Sequence, residues 1–139
     1  MNTRKLLIAV VAAGAALGHA WASAHGAHGE EEKVTPVQIQ KLPDFPGKQV
    51  IMAVVDYKPG QASAPHSHSG SVLAYVLEGE IVSQLTGQEP VTYKAGEAWY
   101  EAPRAGHLVS RNASNVRPAK LLAFVLTDEG GTVKEPLPK

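Results

Sequence analysis

The sequence predicts an all-β chain, a small barrel or sandwich. Short runs rich in Val, Ile, Leu and Tyr recur at roughly ten-residue spacing, and Gly and Pro punctuate the chain between them. No window carries the period of an amphipathic helix. With 13 Gly and 10 Pro in 139 residues, turn formers are plentiful enough for such a fold. The length fits one domain with a single core. A formal net charge of zero argues against a nucleic-acid surface, which needs a basic stripe. The chain has no Cys, so a mature domain must rest on its core rather than on disulfides.

Residues 1–24 read as a secretory signal peptide: Arg4 and Lys5, an apolar run from Leu6 to Leu17, then Ala22-Ser23-Ala24 as a small-residue cleavage site. An uncleaved anchor is the competing reading. The run is shorter than the ~20 apolar residues a spanning helix needs, and Gly14, Gly18 and His19 weaken it further. Cleavage after Ala24 predicts a periplasmic or secreted protein, slightly acidic and free of the membrane. Residues 25–36 are polar and acidic and predict a flexible arm. His25 and His28 lie there, either as a copper or zinc site with the free amine or as ordinary tail residues.

The barrel is placed at residues 37–128. Its strands are predicted at 49–57, 73–77, 80–85, 91–93, 98–101, 108–110 and 120–126. They are separated by Pro59-Gly60, Gly79, Thr86-Gly87, Ala95-Gly96, Pro103-Arg104-Ala105-Gly106 and residues 115–118. Residues 129–139 predict an extended, loosely held tail.

Pro65-His66-Ser67-His68 carries the chemistry. Histidines one residue apart in an extended segment share a face, because side chains alternate across a strand. A neighbouring strand can bring His107 to the same interior spot. Three neutral imidazoles converging there would hold a divalent transition metal (Fe, Mn, Ni, Cu or Zn) and leave positions open.

Two stretches resemble the paired motifs of the cupin superfamily. The first is Gly60, five residues, His66-Ser67-His68, and then Tyr75-Val76-Leu77-Glu78-Gly79. The second is Gly96, the segment Pro103-Arg104-Ala105-Gly106-His107, and Asn112. The resemblance covers most of the chain beyond the arm. It implies a double-stranded β-helix, the jelly-roll cupin barrel, with His66, His68 and His107 as metal ligands. Val72 stands where the motif has a metal-binding glutamate, Ala102 where it has Pro and Arg104 where it has Gly, while Asn112 is one place late.

The carboxylate missing at Val72 points to Glu101. Trp99 and Glu101 form an i, i+2 pair on one strand and share a face. Turned inward, Glu101 would replace the lost ligand or act as a general base. Turned outward, it is a rim residue beside a Pro-containing turn. The resemblance implies a metal-dependent small-molecule enzyme, dioxygenase-like. A non-catalytic small-ligand or metal-binding protein is the alternative, with metal buffering as a third. A homodimer through sheet edges is also expected.

The remaining residues are less specific. Trp99, Tyr75 and Tyr100 suit core or barrel-mouth packing, with Trp99 also suited to a pocket wall. One of Ser83 and Gln84 must face inward. Arg104 and Arg111 flank His107, either to meet an anion or as solvated side chains. Asn112-Ala113-Ser114 matches a glycosylation sequon but suits a turn.

Overall fold

The computed structural model describes residues 31–137, so the stretch expected to be a signal peptide, His25 and His28 lie outside the described residues. Ten strands appear among them. In chain order they are β1 (Lys33–Lys41), β2 (Lys48–Tyr57), β3 (His66–Ser67), β4 (Ser71–Glu78), β5 (Glu80–Leu85), β6 (Val91–Lys94), β7 (Ala98–Glu101), β8 (His107–Asn112), β9 (Ala119–Asp128) and β10 (Glu135–Pro136). They form two five-stranded sheets, ordered β1-β2-β9-β4-β7 and β10-β3-β8-β5-β6. All pairings are antiparallel. This is the all-β jelly roll that the sequence predicts.

The core follows from alternation. In β2, β4 and β9 every second residue is buried: Ile51, Ala53, Val55 and Tyr57, then Val72, Ala74 and Val76, then Leu121, Ala123 and Val125. β2 pairs with β9 from Lys48↔Asp128 to Tyr57↔Ala119 without a slip, and β4 covers the other edge of β9. A slip of one residue would turn all these side chains to water, so the apolar alternation itself holds the register. At Gly70 a Cβ would run into the Leu126 carbonyl, so only glycine lets the chain after His68 pass this close to β9.

Two boundaries differ from expectation. Residues 33–36, assigned to the flexible arm, belong to β1, which pairs with β2 along its length. β1 is an edge strand with nearly every residue exposed, so no apolar alternation marks it. The tail at 129–137 is not loose. β10 pairs Glu135↔Ser67 and Pro136↔His66, laying the tail beside β3. Glu129 N also donates to the Gly47 carbonyl at 2.9 Å.

Candidate metal centre

His66 and His107 are direct cross-strand partners, the pair at which β3 meets β8. His68 follows β3 immediately and its side chain is buried with theirs. The ring centroids of His66 lie 4.9 Å from those of His68 and 5.0 Å from those of His107. One ring nitrogen from each residue falls within 4.8 Å of the others. A buried three-histidine cluster able to hold a divalent transition metal is therefore present.

Each imidazole is anchored through one nitrogen. His66 Nδ1 lies 2.8 Å from the Ala64 carbonyl, and His68 Nδ1 is held by the Val133 carbonyl. A carbonyl can only accept, so both Nδ1 atoms carry the proton and both Nε2 atoms keep a free lone pair. His107 Nε2 sits 2.9 Å from the Ser83 hydroxyl. Its Nδ1 is buried and has no hydrogen-bond partner.

Glu101 points into the barrel and is 2 % exposed. On β7 burial alternates, so Trp99 and Glu101 face inward together while Ala98 and Tyr100 face out. Trp99 Nε1 donates to Glu101 Oε1 at 2.9 Å, and Tyr93 stacks on the indole at 4.7 Å. Glu101 Oε2 is 3.3 Å from His68 Nε2, and Oε1 is 3.3 Å from His107 Nδ1. The register explains its position. Glu101 pairs directly with Val72, the place where the motif glutamate is missing. Directly opposed residues have Cβ atoms about 5 Å apart, so the carboxylate has moved to the neighbouring strand and still reaches the histidines.

Burial by itself raises the Glu101 carboxyl, but His107 and His68 beside it outweigh this and hold it well below the usual carboxylate range. Burial pushes His66 down to about 4, helped by His107 and His68 and opposed by the Ala64 carbonyl and Glu101. At neutral pH His66 is thus an uncharged imidazole, the form that binds metal. Glu101 Oε2 and His107 Nδ1 are both buried at the cluster without hydrogen-bond partners. Such orphans are rare in folded proteins, and a cation held by the cluster would satisfy both. The donor set fits a divalent metal.

The cluster opens on a cavity of about 40 Å³, with room for about three water molecules. Val34, Val55, Val72, Ala74, Trp99, Leu121, Ala123 and Val133 give it apolar walls. Its polar lining includes Tyr57, Ser63, Ser110, Glu32 and Lys134, none of which the sequence marks as site residues. Tyr57 Oη lies 2.7 Å from Ser63 Oγ and 2.8 Å from Ser110 Oγ. Of the pair left open, Ser83 faces inward and Gln84 does not. Tyr75 and Tyr100 are 43 % and 54 % exposed, so they are neither core nor pocket, whereas Trp99 lines the wall. Arg104 and Arg111 are exposed. Asn112 is 1 % exposed and its Nδ2 donates to the Lys58 and Arg117 carbonyls, so the sequon is closed to a glycan.

Comparison with known proteins agrees with this architecture. A family model described as a cupin domain matches residues 53–125. A germin-like protein of Arabidopsis thaliana (subfamily 2 member 2) is 31% identical over 104 residues, 71% of this chain and 47% of its own length. The chain spans about half the length of the curated relatives it matches. Among solved structures, a Klebsiella pneumoniae protein with a double-stranded β-helix domain superposes with a TM-score of 0.61 at 19% identity, covering 77% of this chain and 86% of that one. An oxalate oxidase bound to the substrate analogue glycolate gives a TM-score of 0.58 at 19% identity, covering 76% and 55%. The family model spans more than half of the sequence and meets the expected fold, and the chain belongs to the cupin domain family.

Proposed function

We propose that this chain is an exported, metal-dependent cupin that acts on a small molecule, with dioxygenase-like chemistry. In this reading His66, His68, His107 and Glu101 hold one divalent transition metal. The observation that carries it is the Val72↔Glu101 pairing, which returns a carboxylate to a three-histidine cluster from a strand the motif does not use. An oxalate oxidase shares the fold, so a barrel of this kind is able to carry an enzyme.

Bound there, a redox-active ion supplies Lewis acidity and electrons for dioxygen chemistry, and zinc supplies Lewis acidity alone. The protein supplies the rest. The Ala64 and Val133 carbonyls and the Ser83 hydroxyl fix the three rings, and Trp99 fixes the Glu101 carboxylate. Glu101 Oε2, buried and without a hydrogen-bond partner, is the carboxylate atom left to bind the metal. The apolar walls keep bulk water away. No helix among the described residues is long and apolar enough to cross a membrane.

Elemental analysis of the protein purified from its own compartment, without chelator or affinity tag, tests this reading beside His107→Ala and Glu101→Gln. Near-stoichiometric Fe, Mn, Ni or Cu is expected, absent from His107→Ala. Glu101→Gln is expected to weaken metal binding by about 10–100-fold in chelator competition. Oxygen uptake that disappears in His107→Ala would support the oxygenase. Ligand binding without turnover would assign a binding protein instead, and a chain that takes up no metal would overturn the reading.

A further inference from the structure

The cavity holds a second buried carboxylate, on the segment leading into β1. Glu32 is 7 % exposed and its Oε1 accepts from Lys134 Nζ, an ion pair between residues 102 positions apart. Burial by itself raises the Glu32 carboxyl, but Lys134 and the nearby Ser63 hydroxyl outweigh it and keep it ionised at neutral pH. Oε2 is buried and has no hydrogen-bond partner. Lys134 Nζ bonds to Oε1 and the Tyr57 hydroxyl bonds to those of Ser63 and Ser110, while no hydrogen bond of this geometry reaches Oε2. A charged acceptor left unmatched in an apolar cavity is costly unless something that visits the cavity donates to it.

A wider depression of about 310 Å³ adjoins the cavity, sharing His66 and Lys134 with it. Glu31 and Glu135 line this depression, so the approach, like Glu32 behind it, is richer in carboxylate than in cation. Such a passage disfavours an anion with no proton to donate and favours a neutral or cationic donor.

We propose that Glu32 is a specificity-determining residue: its free oxygen accepts a hydrogen bond from a hydroxyl- or amino-bearing small molecule whose other end meets the three histidines. The limited room restricts that molecule to a few non-hydrogen atoms in the inner cavity. The assignment rests on the metal reading of the histidines. Lys134 pairs with the other oxygen, Oε1, and takes no part in this contact.

Two thiols that differ in structure only at the far end test this on the full chain loaded with Co(II) at pH 8, each affinity referred to its own thiolate concentration because the hydroxyl also makes the thiol more acidic. Ethanethiol has no donor there and 2-mercaptoethanol has a hydroxyl. Thiolate binding is read from the near-ultraviolet charge-transfer band. The hydroxyl is expected to tighten binding by about tenfold, the size of one charge-assisted hydrogen bond. In Glu32→Gln, Lys134 holds the amide oxygen and the NH₂ turns inward, so the preference is expected to fall to about twofold or less. Lys134→Gln keeps the carboxylate and is expected to keep the preference, which separates an acceptor role from a merely structural ion pair. Equal binding of the two thiols by the native protein, an unchanged preference in Glu32→Gln, or its loss in Lys134→Gln overturns the proposal. A protein that fails to retain Co(II) overturns the metal reading itself, and the subsite with it.

Discussion

Glu101 owes its place to a single cross-strand pairing, and Arg104 shows the opposite case, a residue at odds with its place. Arg104 stands where the motif has Gly, and its φ is 61°, in the left-handed region that glycine occupies without strain. Its backbone N–H donates to the His68 carbonyl at 2.7 Å, so the strained turn is tied to the segment that carries His66 and His68. A Cβ-bearing residue there costs about 1 kcal/mol. Arg104→Gly is expected to stabilise the protein by about that amount, less the added chain entropy of glycine, with metal binding unchanged. Thermal melts of the two proteins check it. Tyr57 gives a pH prediction. Burial pushes its hydroxyl up from 10.0 to about 12, above the unfolded value, so folding favours the neutral form. That contribution is complete below about pH 10 and is lost as pH rises through about 12. Two pKa units correspond to about 2–3 kcal/mol. Urea titrations across this range are expected to show the fall in the native protein and a shallower one in Tyr57→Phe.

The short C-terminal element reaches further into the site than its two residues suggest. β10 adds an edge to β3, the Val133 carbonyl fixes His68, and Lys134 fixes Glu32. Removing residues 132–139 takes all three away at once. It leaves a buried His68 Nδ1–H and the Glu32 carboxylate without partners, at about 1–3 kcal/mol for each unsatisfied group. The truncated chain is expected to lose stability by that order and to release metal to a chelator faster than the full chain. Denaturant titration and metal-release kinetics measure the two effects. If both stayed unchanged, the tail would be a passive cover.

In the whole molecule, the sheet β1-β2-β9-β4-β7 carries apolar residues on both of its faces. The outer face of the β1-β2-β9-β4-β7 sheet leaves Leu73, Tyr75, Leu77, Tyr100, Phe124 and Leu126 exposed, several of them cross-strand neighbours. Large exposed apolar faces are where proteins pair with partners, and a homodimer of this chain would use this one. We expect the homodimer to form through this face rather than through a sheet edge. Light scattering is expected to give twice the chain mass for the native protein and the monomer mass for Phe124→Glu. A monomer at micromolar concentration would count against it.

Features with a local cause are legible in the chain alone. The alternation of apolar residues set β2, β4 and β9, glycine and proline set the breaks, and one intervening residue set His66 and His68 on neighbouring positions of one extended segment. Motif spacing placed His107 with them before any contact was visible. It did not determine which way Glu101 points, which of Ser83 and Gln84 faces in, or that the two ends of the domain meet over the cavity. Glu101 is inward because β7 pairs with β4 in one particular register, and β5 and β6 lie between those strands in the chain. Glu32 and Lys134 lie in polar stretches with no periodic signal, and only the closing of the two sheets brings them together. A strand's alternation says which residues share a face. The sheet that closes over it decides which face is the inside.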